Sequence, residues 1–405
     1  MKAQTILKEL LIRVTPNMHK VRRQSLNDMI LSTLSGAALS VTSLGRTLNS
    51  NTSEKHQIKR ADRLCSNAHL QQESQGIYSR LSVALIEQQS QPIILVDWSD
   101  CDPRKQHFLL RASVAVAGRS LTLYEEIHPV TTKEKPGTHK QFMSRLKAML
   151  PENCRPIIIT DAGFRTPWFE LVRSLDRDFV GRVRNRTFCE LISAPGWFPA
   201  KDLYTKATIN PKLLGVYQLC RNTPMTGQLV VVRKKPQGRK DKTAQGDKVR
   251  CNSHSRKSAT RETEPWLLVT SLIPEKGFAK RIVKLYQTRM RPERSALGVQ
   301  IEESFRDLKT GLNMNLGDTR ILKRLTVLLV IAALAQFVLY LFGMAVTMAN
   351  LHRRYQANSV KDKVVLSFQF IGLRAFKDRK LKLEKKDWVR AVEHIQQLMR
   401  EPLYV

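Results

Sequence analysis

The chain has 405 residues, enough for two or three domains with a large buried core. Its 68 Lys and Arg exceed its 35 Asp and Glu by 33, and this excess favours a polyanionic partner: nucleic acid first, an anionic membrane surface second. The alternative is a merely basic housekeeping protein. The six cysteines are scattered and form no Cys-x-x-Cys pair, which argues against a zinc ribbon or a disulfide framework and suits a reducing cytosol.

The first 85 residues are helical in pattern and basic. A short apolar helix pattern around Leu44 and Leu48 is followed by a polar turn, residues 49–53, and by a basic helix from Glu54 to about Cys65. This is the spacing of a helix-turn-helix motif, although most such pairs are ordinary helix packing. The side chains that the basic helix offers to a DNA groove or to phosphates are His56, Lys59, Arg60 and Arg63.

The next region alternates strand and helix patterns. An apolar run at 92–96 ends at Asp97, and HFLLRASVAVAG and RSLTLYEEIHPV follow as two strands joined at a Gly118-Arg119 turn. HKQFMSRLKAML has helical spacing, RPIIIT is a second apolar strand that ends at Asp161, and PWFELVRSL is an amphipathic helix. The order predicts an α/β sheet with helices on its faces.

Residues 181–275 change to short strand-like runs and predict a β-rich insertion. Its basic loop, 233–261, carries eleven Lys or Arg and either contacts phosphates or is simply solvated. Helical patterns then return in FAKRIVKLYQTRM and IEESFRDLK and in the C-terminal KKDWVRAVEHIQQLMRE. Between them Leu325 to Ala349 carries no charge, so it is either a membrane span or a buried helix, broken near Gly343.

Two acids that end apolar strands are the first candidates for chemistry. Asp97 and Asp161 would lie close together if their strands were neighbours, and a hard divalent cation such as Mg²⁺ would relieve their repulsion. Two such ions can support phosphodiester cleavage, whereas a single Asp after a strand is more often a turn cap. Glu302 is the candidate third acid. It shares one helical face with Arg306 and Lys309, which could equally be a solvated face, while Glu303 and Asp307 point elsewhere.

The segments VDWSD, TDAGFRTPWF, EPWLLVT, YQTRM and QIEESFRDLK together resemble the bacterial cut-and-paste DDE transposases, in the branch with a Tyr-Arg-Glu-Lys signature, the insertion sequence four family. The resemblance implies an α/β fold: a ribonuclease H-like catalytic core with a β-rich insertion, a helical N-terminal DNA-binding domain and a helical C-terminal region. The boundaries expected from it are 1–85 for DNA-end binding, 86–180 and 276–349 for the core, 181–275 for the insertion and 350–405 for the C-terminal region.

The same resemblance implies roles for single residues. Asp97, Asp161 and Glu302 carry over as the catalytic, metal-binding acids of a two-ion Mg²⁺ site in which Mn²⁺ can substitute. Tyr286, Arg289 and Lys309 match the signature residues that hold DNA, and Trp266 matches a tryptophan that stacks on a flipped base during hairpin formation. The implied partners are double-stranded DNA, as terminal inverted repeats and as target, and a second copy of the chain in a paired-end complex. A cytoplasmic, nucleoid-associated protein is expected, and Leu325 to Ala349 becomes a buried helix pair or a broken helix rather than a membrane span.

One stretch departs from the family pattern. Twelve residues separate Arg289 from Glu302, nine more than in the family. Pro292 and Gly298 suggest that RPERSALGV loops out and leaves the two helical halves near their usual places. The alternative is a catalytically impaired relative that binds transposon ends and regulates.

Overall fold

The computed structural model describes residues 3–87, 89–102, 104–116, 119–184, 187–234, 249, 252–253, 255, 263–289, 301–314, 319–357 and 365–400. The described helices are α1 (Ala3–Val14), α2 (Lys20–Leu34), α3 (Val41–Arg46), α4 (Glu54–Cys65), α5 (Ala68–Ile86), α6 (Pro136–Met149), α7 (Thr166–Ser174), α8 (Phe278–Gln287), α9 (Ile301–Arg306), α10 (Leu322–Met348), α11 (Phe368–Lys377) and α12 (Lys385–Arg400). The strands are β1 (Ile93–Asp100), β2 (His107–Val116), β3 (Arg119–Pro129), β4 (Ile157–Thr160), β5 (Asp178–Val183), β6 (Phe188–Leu191), β7 (Ala194–Pro199), β8 (Lys212–Leu219), β9 (Met225–Val232) and β10 (Trp266–Thr270).

The mixed α/β chain divides into two units. The first contains Met1–Pro156 and Thr288–Val405, and the second contains Ile157–Gln287. The first unit therefore takes its helices from both ends of the chain, and the second takes most of the short strands. The basic loop lies almost wholly outside the described residues, as do all of RPERSALGV and Gly118 of the predicted turn.

The first unit contains an antiparallel meander. β1 pairs with β2, and β2 pairs with β3 through a bulge at Ala112 and Ser113. The predicted strands are thus confirmed, but β1 does not stop at Asp97. Its backbone stays paired to β2 as far as Asp100, opposite Phe108, so Asp97 lies within the strand.

The second unit contains a seven-stranded arrangement in the order β4-β5-β10-β9-β8-β6-β7. β4 and β5 are parallel, and every later neighbour is antiparallel. The predicted strand before Asp161 is confirmed as β4, whose four residues are all buried. The predicted short strands of the insertion are confirmed as well.

The uncharged segment is one continuous helix, α10, of 27 residues. The expectation of a helix pair, or of a break near Gly343, is therefore wrong. Among the described helices it alone is long and apolar enough to span a membrane. It is instead buried on almost all sides, because α1, α2, α4, α5, β3, α11 and α12 surround it, and that burial accounts for its uniform apolar character.

Gly343 has a different reason to be present in this helix. A Cβ at Gly343 would overlap the carbonyl oxygen of Phe368 in α11, and a Cβ at Gly372 of α11 would overlap that of Leu339 in α10. The two glycines thus let the helices cross at backbone distance. Glycine breaks no hydrogen bond in a helix as proline does, so the helix continues through it.

Candidate active site and nucleic-acid interface

Asp97 lies in β1 with its carboxylate largely buried. Oδ1 accepts the backbone N–H of Trp98 at 2.9 Å, and Oδ2 accepts Nη2 of Arg289 at 2.7 Å. The side chain of Asp97 is 13 % exposed and that of Arg289 is 5 % exposed, so solvent screens this ion pair little. The predicted metal-binding acid and the signature arginine therefore contact each other, although 192 residues separate them along the chain.

Glu302 lies in the first turn of α9, which packs against β1 and β3. Its side chain is exposed, and within the described part of the chain no hydrogen bond or ion pair engages it. Arg306 does not pair with Glu302, as a solvated helix face would suggest; it pairs with Glu303. The Glu302 carboxylate is therefore available to a cation from solution.

Lys309 does not continue the α-helical face of Glu302, and this part of the prediction is wrong. The helix changes to a π turn at Asp307–Gly311, so the regular spacing ends before Lys309. The ammonium group of Lys309 instead forms an ion pair with Asp100, at the end of β1. Two signature cations, Arg289 and Lys309, thus contact acids of the VDWSD strand.

Asp161 directly follows β4 in the second unit. Its Oδ1 accepts the backbone N–H of Gly163 at 2.7 Å, the turn-capping contact that an Asp after a strand often makes. The side chain is partly exposed. Capping engages only one of the two carboxylate oxygens in the contacts described, so it does not prevent Asp161 from binding a cation as well.

The carboxylates at these positions fit a hard divalent cation in their chemistry. Asp97, Asp161 and Glu302 supply oxygen ligands of the kind that Mg²⁺ prefers, and Glu302 has no ion pair within the described ranges. Among the described residues no three His, Cys, Asp or Glu side chains already form a metal cluster. Mg²⁺ commonly binds through one or two carboxylates and completes its shell with water and substrate phosphate, so a prearranged cage is not required.

Trp266 and Tyr286 contact each other in the second unit. Their ring centroids are 5.1 Å apart at an interplanar angle of 75°, an edge-to-face pair. Tyr286 is buried, whereas Trp266 keeps part of its surface exposed. The tyrosine of the signature thus supports the tryptophan ring, and its contact with DNA stays a prediction.

Two cations near Trp266 were not expected from the sequence. The ammonium of Lys234 lies 5.5 Å from the Trp266 ring centroid. Arg182 of β5 pairs in register with Leu268, so it is on the same sheet face as Trp266, and it is buried with one long hydrogen bond of 3.5 Å to the carbonyl of Glu264. Burial lowers the pKa of Arg182. The pairing of β10 with β5 on one side and with β9 on the other, which sequence periodicity does not reveal, brings these groups together.

The two predicted helices on either side of the polar turn are confirmed as α3 and α4, although α3 ends at Arg46, before Leu48; their role as a DNA-binding motif stays a prediction. Ser40 caps α3, and Nε2 of Gln57 donates to the carbonyls of Ser50 and Thr52 at 2.9 Å each, which fixes the turn. A Cβ at Gly45 would overlap the backbone of α4, so the two helices touch closely.

The cations of α4 divide into two groups. Arg60 forms an ion pair with Asp28 of α2 and is committed to the fold. Lys55, Lys59 and Arg63 are exposed, and none has an ion pair or hydrogen bond within the ranges that the structure describes. They recur every four residues and form one row, which we call the α4 row. Of the cations predicted to meet DNA, Lys59 and Arg63 thus lie on the row and Arg60 does not, while Lys55 joins it.

A comparison with protein families identifies one domain in this chain. The family model described as Transposase DDE domain matches residues 88–338, which is more than half of the chain. No curated protein matches the sequence. The matched range includes Asp97, Asp161 and Glu302 and leaves the α4 row outside.

Proposed function

Because the chain belongs to the transposase DDE domain family, we propose that it cleaves DNA at transposon ends in a cation-dependent reaction and joins the freed 3′ ends to target DNA. The observation that best supports this proposal is the contact between Arg289 and Asp97. The signature arginine and the strand acid are remote in sequence, and this ion pair brings them into contact.

Asp97, Asp161 and Glu302 would hold the cations, two of Mg²⁺ with Mn²⁺ as a substitute. Cations bound there would activate the attacking oxygen and stabilise the leaving oxygen of the phosphodiester. Arg289 fixes the direction of the Asp97 carboxylate, and Trp98 N–H holds its other oxygen. An ion pair with Asp100 likewise fixes the position of the Lys309 ammonium group.

DNA binding would use surfaces away from these acids. The α4 row suits phosphate contact at the terminal inverted repeats, because its three cations are exposed and have no ion-pair partner among the residues that the structure describes. Trp266 would stack on an extruded base during a hairpin step, with the positive charge of Lys234 beside its ring.

The finer parts of the proposal rest on the sequence motifs. They are a ribonuclease H-like core, the insertion sequence four branch near the transposase of insertion sequence ten, a homodimer in a paired-end complex, and a cytoplasmic location near the nucleoid.

The test uses the inverted repeats that flank the reading frame as substrate. Asp97→Ala, Asp161→Ala and Glu302→Ala should each abolish nicking in Mg²⁺ and leave end binding intact. Glu170→Ala is the matched control, since it removes an exposed carboxylate that pairs only with Arg173 on α7. Near wild-type nicking by any of the three variants would refute the assignment of that acid.

A regulatory, catalytically impaired relative is the second candidate, and the twelve residues between Arg289 and Glu302 favour it. Deletion of residues 291–299 distinguishes the two. A gain in nicking of about tenfold or more, which is about 1.4 kcal/mol in the barrier, would show that the extra residues impair the enzyme.

A further inference from the structure

Two arginines on adjacent strands, β2 and β3, contact α9, the short helix that carries Glu302. The first is Arg111 of β2, which is fully buried. Its Nη1 donates to Oγ of Ser304 at 2.9 Å, and its guanidinium carbon lies 4.8 Å from the ring centroid of Phe305. Glu125 accepts from Nε of Arg111 at 2.8 Å, so the guanidinium is itself fixed in place.

The second is Arg119 at the start of β3. Its Nε donates to Oδ2 of Asp307 at 2.6 Å, and its Nη2 lies 3.5 Å from Oε2 of Glu303. One guanidinium therefore joins two acids that are four residues apart, across the change from α-helix to π turn. These are Glu303 and Asp307, an acidic pair whose role could not be predicted from the sequence. Burial raises the pKa of Asp307, and Arg119 opposes that shift.

The contacts that the two arginines make centre on the side of α9 that is turned away from Glu302. At about 100° per residue, Ser304 lies about 160° from Glu302 around the helix axis, with Glu303 about 100° from it on one side and Phe305 about 60° from it on the other. A helix of six residues is too short to be stable by itself, so its rotation is set by what holds it. Two rigid contacts on one face fix that rotation and, with it, the direction of the opposite face.

Stability alone is a poor explanation for these contacts. A buried ion pair often contributes little net stability compared with apolar side chains of similar volume, and in some proteins its role is to specify one geometry. Arg111 and Arg119 bind three polar side chains of α9 and its π turn, Glu303, Ser304 and Asp307, at positions where apolar side chains could have packed instead.

We propose that Arg111 and Arg119 are positioning residues that set the direction of the Glu302 carboxylate for cation binding. Neither touches the cation. The inference rests on the proposed function, because it assumes that Glu302 binds the cation.

The test measures Mn²⁺ binding to the full chain by the electron paramagnetic resonance signal of free Mn²⁺. Glu302→Gln first defines the share of binding that depends on Glu302. Arg119→Met and Ser304→Ala should each weaken that share about three- to tenfold, because the loss of a group bonded directly to a metal ligand costs about 10- to 100-fold and these two residues act through the helix. Arg119→Lys, which can reach only one of the two acids, should recover part of the loss.

Arg145→Met is the matched control. Arg145 of α6 donates to Glu126 of β3 at 2.7 Å. This variant therefore removes an ion pair from β3, the strand that also carries Arg119, but the lost pair joins β3 to α6 and not to α9. It should bind Mn²⁺ like the wild type. In nicking assays, raised Mn²⁺ should rescue Arg119→Met and not Glu302→Gln, a difference that a general loss of folding would not produce.

The outcomes separate the two proposals. If Glu302→Gln loses Mn²⁺ while Arg119→Met and Ser304→Ala bind it normally, the positioning role is refuted and the proposed function stands. If Glu302→Gln binds Mn²⁺ like the wild type, the cation role of Glu302 fails and the positioning role fails with it. Should Arg119→Met not fold, Ser304→Ala decides, because it removes one hydroxyl and leaves the pair of Arg111 and Glu125 intact.

Discussion

The α4 row allows a quantitative prediction of how the protein binds DNA. Replacing Lys55, Lys59 and Arg63 together by Ala removes three exposed, unpartnered cations from one helix face. The matched control is the double variant Arg60→Ala with Asp28→Ala, which removes an ion pair of zero net charge next to the row. Both variants change the same helix, and only the first removes charge that DNA phosphates can meet.

The magnitude follows from the geometry of the row. Residues four apart rise about 6 Å each along the axis, so the three cations span about 12 Å on nearly one line. If each neutralises one phosphate, together they contribute about −2.7 to the slope of log K against log salt. Between 50 and 200 mM salt this contribution amounts to about 40-fold in affinity. The triple variant should lose that dependence, and the double variant should keep it.

Fluorescence anisotropy of a labelled end fragment, titrated across this range of salt, measures both slopes. We expect the triple variant to have a slope less steep by about 2 to 3 and the double variant to match the wild type. A triple variant with the wild-type slope would show that the row does not face phosphates. An equal change of slope in both variants would show that DNA binding does not distinguish the α4 row from the paired Arg60.

Three further predictions concern the stability and reactivity of the fold. Gly343→Ala should destabilise the native state by about 1–3 kcal/mol or more in urea unfolding, because its Cβ has no room, whereas Gly137→Ala in α6, with open space around it, should be neutral or slightly stabilising. His139 accepts a hydrogen bond from the indole N–H of Trp98, and burial lowers the pKa of His139 to about 4. The unfolded chain therefore binds this proton at a higher pH than the native state does, so the free energy of unfolding should fall as the pH drops from about 6.5 towards 4. His139→Gln should flatten that part of the profile of stability against pH. Among the described cysteines Cys220 is partly exposed with a lowered pKa, so mass spectrometry should find it alkylated before the buried ones in the native protein; alkylation of the buried cysteines first would contradict this order.

The elements that sequence reasoning identified are those with a strong local signal. β4 and Asp161 follow from an apolar run that ends in an acid, and α4 from a basic helix that starts after a polar turn. In each case the residues that decide the structure are neighbours in the chain. The period of apolar side chains therefore carries the necessary information.

The features that sequence reasoning did not identify depend on partners that are distant in the chain. Arg60 looks like its neighbours on α4 until Asp28 is placed beside it. Gly343 looks like a helix break until the carbonyl of Phe368 is found against it. Arg111 appears only as a charge inside a strand, and nothing in its surroundings along the chain predicts contact with Ser304. No local period encodes such pairs, because sheet register and helix crossing create them.

The same distinction decides how the twelve residues between Arg289 and Glu302 should be judged. Nine extra residues would turn a continuous helix by about half a turn, which would direct Arg289 away from Glu302. That reasoning requires the helix to continue, yet α8 ends at Gln287, two residues before Arg289. The direction of Arg289 is set instead by its ion pair with Asp97, in a buried setting where a charge without a partner would be costly. This contact forms with the extra residues present, so their number does not by itself direct Arg289 away from the strand acid, and the deletion of residues 291–299 is the measurement that decides between the two candidates.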